Sequence, residues 1–292
     1  MKLKVAIIGT GNIGTDLLIK ISRSPYLQCT LFSGRNLNSK GMLKAMSFGV
    51  PLSDKGIEAI VEKPECCDLV FDATSASSHK VHAPILKQLN KIVIDLTPAK
   101  LGLFTIPSVN LEEALKYDNL NMITCGGQAS IPIAYAVSKI VKNIEYIELV
   151  STIASKSAGP GTRANIDEYI ETTEKALSHF SGCQNVKVII NLNPAQPSID
   201  MNTTIYLKIN KPDMDLITSE VKKMVATIQS YVPGYSLSLD PVYDNGLVIL
   251  SIKVQGLGDY LPKYAGNLDI INSAAIALAE EFAKNREVSH DK

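Results

Sequence analysis

The chain has neither an excess of charge of one sign nor a long apolar run. Its 292 residues include 29 lysines and arginines and 29 aspartates and glutamates, so the formal net charge is zero. Surfaces that bind nucleic acid or anionic membranes carry an excess of basic residues, and this composition argues against both partners. No apolar stretch approaches the roughly 18 residues that suggest a membrane span. The N-terminal segment shows no small-residue cleavage site, which argues against a signal peptide.

The cysteines are few, and they lack the spacings that organise disulfides or metals. The chain has an odd number of them, and no C-x-x-C pair occurs. This pattern argues against a disulfide framework and a zinc site, so we expect no bound metal. Together with the missing export signal, it predicts a reduced, cytoplasmic protein. The five cysteines are Cys29, Cys66, Cys67, Cys125 and Cys183.

The first half of the chain alternates strand-like and helix-like segments. β-Branched apolar runs predict strands at residues 2–8, 28–33, 68–73, 91–96 and 121–124. Helical spacing lies between several of them, for example at residues 78–89 and 111–117. This alternation is typical of βαβ units, and it predicts an α/β fold with a parallel sheet of the Rossmann type.

After about residue 140 the pattern changes to longer alternating strands and long amphipathic helices. Strands are predicted at residues 146–154, 186–193, 203–209 and 247–254, and helices at residues 166–179, 214–231 and 267–286. The length of the chain also fits two domains. We therefore predict a dinucleotide-binding domain at residues 1–130, completed by the C-terminal helix 267–286. Residues 131–266 are predicted to form an α+β domain for substrate binding and oligomerisation.

A G-x-G-x-x-G pattern joins the first predicted strand to a helix. Gly9 permits the tight turn, Gly11 lets the backbone approach a pyrophosphate, and Gly14 allows the helix to pack closely. The N–H groups at the helix start attract phosphate. A turn without a ligand is the alternative, but the strand before the pattern and the helix after it favour dinucleotide binding.

The residues after the second predicted strand bear on the choice of cofactor. An acidic residue usually holds the ribose 2′-hydroxyl about 20 residues after the glycine pattern, and none occurs between Cys29 and Lys40. Arg35 stands there instead, where a guanidinium could face a 2′-phosphate. An exposed loop arginine without a ligand is the equally weighted alternative. We therefore expect NADP to be accepted at least as well as NAD.

Cys125 is the cysteine whose neighbours point to chemistry. It follows the apolar run 122–124, predicted to end a strand, and it precedes Gly126, Gly127 and a helix predicted at residues 133–141. Ligands of open α/β sheets bind at such junctions, where helix donors would lower the pKa of the thiol and glycines would admit an oxyanion. A small buried side chain without chemistry is the alternative, and it is preferred for Cys29, Cys66 and Cys67, whereas Cys183 could be exposed but has no neighbour that would activate it. Beside a nicotinamide, a cysteine nucleophile predicts aldehyde oxidation through a thiohemiacetal and a thioester.

Histidine, the usual general base in such chemistry, occurs only four times. His79 and His82 lie on a first-domain helix, His179 ends a second-domain helix, and His290 is in the C-terminal tail. None has neighbours that mark it as a base, and each is predicted to be structural or exposed. Activation of Cys125 is then expected from the helix end and from amide or hydroxyl donors.

Further motifs extend along the chain, at residues 71–75 (FDATS), 95–99 (DLTPA), 124–129 (TCGGQA), 155–168 (SKSAGPGTRANIDE), 193–195 (NPA) and 260–270 (YLPKYAGNLDI). With these motifs and the glycine pattern, the chain resembles the acylating, CoA-dependent acetaldehyde dehydrogenases of meta-cleavage pathways. The resemblance covers nearly the whole chain. It implies oxidation of acetaldehyde or a short homologue with CoA to an acyl-CoA, with reduction of NAD.

The resemblance also implies roles for particular residues. Cys125 would be the acyl-thioester nucleophile, and Asn165 would be a further catalytic residue. Asn165 and Asn267 carry amides that could orient an aldehyde oxygen or the nicotinamide amide, although each is equally readable as a helix N-cap. By the resemblance, the dinucleotide would be bound by Thr10, Gly11, Asn12, Ile13, Ser157, Ala158, Gly159, Pro160, Gly161, Thr162, Arg163, Ala164, Asn165 and Asn267. The glycine pattern and the end of the second strand add Gly9, Gly14 and Arg35 as candidate cofactor-binding residues. Without the family, residues 157–165 could be merely a capped turn.

Three features depart from the family pattern. The acid usual at the end of the second strand is replaced by Asn36 after Arg35. An Asp-Thr pair that usually follows the NPA motif, and whose Asp is a candidate base, aligns with Thr203 and Thr204, with Asp200 three residues upstream. The segment 235–256 is shorter than in the family, which bears on oligomer contacts. A homo-oligomer is expected, and many members also pair with a 4-hydroxy-2-oxovalerate aldolase.

Two other functions remain open from the sequence. A phosphorylating semialdehyde dehydrogenase would use the same cysteine with phosphate as the acyl acceptor. A nucleotide-binding sensor that has lost catalysis would be consistent with the missing Asp.

Overall fold

The computed structural model describes residues 2–290, and the side chains of Pro160, Gly161 and residues 287–290 lie outside that description. The prediction for the side chain of His290 therefore lies outside the described residues. The chain divides into two compact units. One extends to Met122 and resumes at Asn272, and the other is Ile123–Ile271. The sequence-based limits were 130/131 and 266/267, so the observed divisions differ from them by a few residues.

The first unit contains seven strands and five complete helices. The strands are β1 Leu3–Ile8, β2 Leu27–Ser33, β3 Leu52–Ser53, β4 Leu69–Asp72, β5 Ile92–Asp95, β6 Leu103–Phe104 and β7 Asn119–Asn121. The helices are α1 Asn12–Arg23, α2 Lys40–Met46, α3 Glu58–Glu62, α4 Ala76–Gln88 and α5 Pro107–Ala114, with a 3-10 turn at Pro64–Cys66.

All neighbouring strands of this sheet run parallel, in the order β3-β2-β1-β4-β5-β7-β6. The β-branched and aromatic residues of β1 and β4 are buried, as expected for strands in the middle of a parallel sheet. The strand order reverses between β1 and β4, and the carboxyl ends of strands at such a point form the usual ligand crevice.

The second unit is built on a mixed five-stranded sheet. Its strands are β8 Tyr146–Ala154, β9 Val186–Asn193, β10 Met201–Lys208, β11 Tyr235–Asp244 and β12 Leu247–Val254. Their order is β11-β12-β10-β8-β9, and the pairs are antiparallel except β8 with β9. The helices are α6 Cys125–Ile140, α7 Pro160–Ala164, α8 Ile166–Ser181 and α9 Met214–Gln229, with a 3-10 turn at Ser155–Ser157.

The last helix, α10 Gly266–His290, begins in the second unit and continues into the first. Within the first unit it is tied to α1, because Asn272 Nδ2 donates to Asp16 Oδ2 at 2.8 Å. It is also tied to the turn after α1, where Ser24 Oγ donates to Glu280 Oε1 at 2.6 Å. Among the described residues, no helix is both long and apolar enough to cross a membrane.

The predicted fold class, a Rossmann-type parallel-sheet domain with an α+β domain, is confirmed. Two predictions around Cys125 were wrong. The strand expected at residues 121–124 is Asn119–Asn121, and the helix expected at residues 133–141 begins already at Cys125. The chain turns at Ile123, whose φ of 63° is incompatible with a strand, although its side chain is buried. The apolar character of residues 122–124 therefore reflects burial of their side chains where the chain turns, and not a strand.

Candidate active site

A cavity of about 520 Å³ opens at the carboxyl ends of β1, β2 and β4 in the first unit. Its wall includes Gly9, Thr10 and Gly11 from the glycine pattern and Arg35 from the loop after β2. Asn12, Ile13 and Gly14 form the first residues of α1. The structure therefore places the predicted residues of the glycine pattern and Arg35 around one cavity or directly at its edge.

The glycines of this loop fit the approach of a dinucleotide. A Cβ on Gly9 would lie 2.4 Å from the carbonyl oxygen of Ala73, and a Cβ on Gly14 would lie 1.9 Å from that of Gly9. These two glycines are needed for packing. A Cβ on Gly11 would meet no atom within 4 Å, so the backbone there borders open space. Gly11 is the position where a pyrophosphate could approach the backbone and the start of α1.

The cavity wall at Arg35 carries charges that sequence reasoning missed. Asp54 and Lys55, from the loop after β3, line the cavity together with Arg35, and all three side chains are exposed. Lys55 Nζ lies 2.6 Å from Glu62 Oε2, and this ion pair partly neutralises the charge of Lys55. Asp54 lies near the end of β2 in space, but it follows β3 in the sequence. Counting residues from the glycine pattern therefore could not find it.

A buried cluster of two histidines and two aspartates lies behind the cavity. Asp72 Oδ2, at the end of β4, is 2.9 Å from His79 Nδ1 and 2.8 Å from His82 Nδ1. His79 Nε2 lies 3.5 Å from Asp95 Oδ2 at the end of β5. His79 is fully buried, in line with a structural histidine, whereas His82 lines the cavity.

The charges of this cluster are set by competition between burial and pairing. Burial raises the pKa of Asp72, but hydrogen bonds from His79, His82 and Thr74 outweigh it and hold the pKa well below its ordinary value. Burial raises the pKa of Asp95 to about 7, against the opposing effect of the His79 charge. Burial lowers the pKa of His79, but its hydrogen bond to Asp72 and the charge of Asp95 raise it overall.

Cys125 is the first residue of α6 in the second unit, and its side chain is partly buried. The N-cap of the helix is Thr124, whose hydroxyl oxygen accepts a hydrogen bond from Gly127 N–H at 3.0 Å. The N–H group of Gly127 is therefore already engaged in a hydrogen bond with the capping residue. All five cysteines fall within the described residues and are free thiols.

The expected lowering of the pKa of Cys125 does not occur. Burial raises the pKa of this thiol to about 11, and it outweighs the hydrogen bond from Tyr169 and the N–H groups of Gly126 and Cys125, which act in the opposite direction. A helix terminus alone is therefore too weak to hold a thiolate at a site withdrawn from water.

Tyr169 on α8 is a residue that sequence reasoning missed. Its hydroxyl oxygen lies 3.8 Å from the sulfur of Cys125 and accepts the thiol proton in a hydrogen bond. A Cβ on Gly126 would lie 2.1 Å from the same hydroxyl oxygen. Gly126 thus makes room for Tyr169, a role that the two glycines after Cys125 did not suggest. The signal in the sequence that could have identified Tyr169 is its position at the start of a helix, four residues after Asn165.

The predicted segment 157–165 forms a loop and the short helix α7. Arg163 closes this loop, because its guanidinium donates to the carbonyl oxygen of Ser155 at 2.9 Å and to that of Ala158 at 3.1 Å. Asn165 lies between α7 and α8 and occupies the N-cap position of α8, as the N-cap alternative predicted, although its side chain makes no capping hydrogen bond. Ser157 is buried and donates to the carbonyl oxygen of Ala154 at 2.8 Å.

Asn267 is the second residue of α10, so it is not the N-cap of that helix, and the N-cap alternative is wrong for this residue. The residue is almost fully buried, and its side-chain oxygen is one of the buried polar atoms that lack a hydrogen-bond partner among the described residues. Such an atom is costly unless something binds it. Asn267 therefore has an acceptor to offer a ligand.

Thr203 and Asp200, the residues at or near the position where this chain lacks the family's aspartate, both have other hydrogen-bond partners. Thr203 is buried, and its hydroxyl lies 2.9 Å from that of Ser151 on β8. Asp200 Oδ2, just before β10, accepts a hydrogen bond from Gln255 Nε2 at 3.3 Å. Asp200 is therefore hydrogen-bonded to Gln255, whereas the side chain that contacts the sulfur of Cys125 is Tyr169.

Comparisons with known proteins place both units. Residues 4–116 match the model of the semialdehyde dehydrogenase NAD binding domain, and residues 125–262 match that of the prokaryotic acetaldehyde dehydrogenase dimerisation domain. A solved structure of aspartate semialdehyde dehydrogenase II from Vibrio cholerae superimposes with a TM-score of 0.60 at 14% identity, covering 99% of each chain. That likeness concerns the fold alone.

Curated relatives are much more similar in sequence. An acetaldehyde dehydrogenase of Spirochaeta aurantia is 57% identical over 97% of this chain and 95% of its own length. Another, of Pectobacterium atrosepticum, is 58% identical over 98% of this chain and 97% of its own length. A third, of Geobacillus stearothermophilus, is 49% identical over 98% of this chain and 97% of its own length. The chain, with its NAD-binding domain and its cysteine at the start of α6, therefore belongs to the acetaldehyde dehydrogenase family.

Proposed function

We propose that the protein oxidises acetaldehyde or a short homologue and transfers the acyl group to CoA. The observation that carries the proposal is Cys125 at the first position of α6, where it is a free, partly buried thiol. A thiol there can form a thioester, and a thioester can pass its acyl group to another thiol. The names of the relatives support the aldehyde as substrate.

The proposed reaction begins with attack of the Cys125 thiolate on the aldehyde carbon, which forms a carbon–sulfur bond, and the aldehyde oxygen takes up a proton from solvent to give a thiohemiacetal. Loss of the hydroxyl proton and of the hydride from carbon then leaves an acyl thioester on Cys125. The nicotinamide cofactor, when bound, supplies the acceptor for that hydride. Attack by the CoA thiolate finally breaks the bond to Cys125 and releases acyl-CoA and the free enzyme thiolate.

The chain's own residues have distinct roles in this scheme. Gly11 and the start of α1 would hold the pyrophosphate of the cofactor, because the backbone there borders open space. The amide of Asn165 would orient the aldehyde oxygen. The partnerless side-chain oxygen of Asn267 would accept a hydrogen bond from the carboxamide of nicotinamide. For the rest of residues 157–164, we propose a role in shaping the cofactor site.

The assembly and setting of the protein are further parts of the proposal. The match to a dimerisation domain supports a homo-oligomer. A cytoplasmic location, a 4-hydroxy-2-oxovalerate aldolase partner and a domain division at 130/131 are proposed from the sequence motifs alone.

The acyl acceptor is the point at which a phosphorylating semialdehyde dehydrogenase would differ. We expect reduction of NAD by acetaldehyde to be fast with CoA and at background level with inorganic phosphate, and the product to be acetyl-CoA by mass spectrometry.

Cys125→Ala should abolish turnover while leaving the Kd for NADH unchanged, because the thiol forms the intermediate. Cys183→Ala, which removes a buried cysteine from the loop after α8, is the control and should retain activity. Turnover with phosphate alone would contradict the proposal, and full activity of Cys125→Ala would remove the nucleophile.

A further inference from the structure

The hydroxyl of Tyr169 faces the sulfur of Cys125 at 3.8 Å within the second unit. Tyr169 is almost fully buried, and its hydroxyl occupies the space beside Gly126 that a Cβ would fill. The contact is therefore enclosed by protein atoms. Van der Waals packing of the ring would be satisfied by phenylalanine, so the hydroxyl at this position calls for a polar partner.

A chain of hydrogen bonds holds Tyr169 in register with the start of α6. Thr173, one turn further along α8, donates to the carbonyl oxygen of Tyr169 at 2.7 Å, and its hydroxyl lies 2.7 Å from that of Thr124. Thr124 in turn caps α6 immediately before Cys125. The two helices are joined at the residues that carry the sulfur and the hydroxyl, which fixes the distance between them.

We propose that Tyr169 is a further catalytic residue, whose hydroxyl donates a hydrogen bond to the sulfur of Cys125 when that thiol ionises. The inference rests on the proposed function, in which Cys125 is the nucleophile. In the thiol form the sulfur donates and the hydroxyl oxygen accepts. A thiolate can only accept, so the hydroxyl turns its proton towards the sulfur while the thiol proton leaves to solvent.

The electrostatics of the site favour a donor and argue against a base. Within the part of the chain that the structure describes, the groups acting on the sulfur are Tyr169 and the N–H groups of Cys125 and Gly126, and none of them is charged. Ser151, on β8, and Thr203, on β10, add two neutral hydroxyls behind Gly126. Burial raises the pKa of Tyr169 well above its ordinary value, so this phenol keeps its proton. The hydroxyl can therefore donate a hydrogen bond to a thiolate.

The test is the alkylation of Cys125 by iodoacetamide in Tyr169→Phe, followed by mass spectrometry of the Cys125 peptide from about pH 7 to about pH 9. Below the pKa of the thiol, this rate is proportional to the fraction of thiolate. Loss of one hydrogen bond to an ionised group should slow alkylation about tenfold at each pH. We also expect kcat to fall by about the same factor across this pH range, with the Kd for NADH unchanged.

Tyr235→Phe is the matched control. Tyr235 is a fully buried tyrosine of the same unit, and its hydroxyl donates to the carbonyl oxygen of Ala129 on α6 at 2.6 Å. Its loss should lower stability and leave alkylation of Cys125 unchanged. A purely structural role of Tyr169 would loosen the site and speed alkylation, so an equal or faster rate in Tyr169→Phe overturns the proposal.

A second measurement covers the case in which Tyr169→Phe does not fold. Incorporation of 3-fluorotyrosine at position 169 keeps the shape of the side chain and makes its hydroxyl a stronger donor. Alkylation of Cys125 should then be faster than in the wild type, and an unchanged or slower rate overturns the proposal. Both readouts concern the thiol itself, so they can fail while Cys125→Ala still abolishes turnover, or succeed while it does not.

Discussion

At the residue scale, two side chains of opposite charge line the cavity of the first unit. Arg35 follows β2, and Asp54 follows β3. A carboxylate can accept a hydrogen bond from the ribose 2′-hydroxyl of NAD, whereas a guanidinium pairs with the 2′-phosphate of NADP. The family's usual acid is missing from β2, and Asp54 supplies one from the neighbouring strand.

Arg35→Ser and Asp54→Asn should therefore shift cofactor preference in opposite directions. We expect Arg35→Ser to lower kcat/KM for NADP about tenfold, the effect of one lost charge-assisted hydrogen bond, with little change for NAD. Asp54→Asn should lower kcat/KM for NAD and leave NADP unaffected or improved. Steady-state rates with both cofactors measure this, and a wild-type enzyme that strongly prefers NAD would exclude Arg35 from the binding of a 2′-phosphate.

At the scale of elements, β4 and α4 are joined by the carboxylate of Asp72, which binds two histidines from successive turns of the helix. The spacing of His79 and His82 is three residues, which places both imidazoles on one face. A buried carboxylate is expensive unless it is paired, and both imidazoles pair it. This arrangement fixes the start of α4 beside the cavity.

Asp72→Asn should lower the free energy of unfolding by about 3 kcal/mol at neutral pH, because it leaves the buried imidazole of His79 and the half-buried one of His82 without their anion. Since the pKa of Asp72 is held below its ordinary value of 3.8, its contribution is complete above about pH 4 and is lost as the pH falls. The difference between wild type and variant should shrink in acid.

Urea unfolding at several pH values measures this difference. Asp240→Asn is the control, because the Lys222–Asp240 pair is exposed and should contribute less than about 1 kcal/mol. A deficit of the same size for both variants, or one that grows in acid, would contradict the role assigned to Asp72.

The elements themselves show where sequence patterns succeed. The predicted strands 146–154, 186–193 and 247–254 have the observed limits of β8, β9 and β12, because their alternating side chains face a core on one side. Strand β11 was not predicted, since it contains Pro241 and two irregularities in register at the edge of the sheet. The start of α6 was missed because two glycines and Pro132 made a buried helix look like a loop.

At the scale of the whole molecule, residues 125–262 match a dimerisation domain, and we expect a dimer of about twice the chain mass of 31.6 kDa. Sedimentation equilibrium over a wide concentration range measures this. Strand β11 lies at the edge of its sheet and exposes Leu239, Val242 and Tyr243, an apolar surface that association would shield from water. A monomer at every concentration would contradict the expected oligomer.

The sequence by itself determined the class of the fold and the dinucleotide loop, and it singled out Cys125 among five cysteines as the proposed nucleophile. These follow from local patterns, in which strand and helix periods, glycine spacing and the neighbours of one residue carry the information. Only the tertiary structure decided the state of the thiol and the partners of the charged groups. Burial raises the pKa of Cys125, Tyr169 reaches it from 44 positions away, and Asp54 enters the cavity from a neighbouring strand. Desolvation and contacts between distant segments depend on packing, which no local pattern specifies.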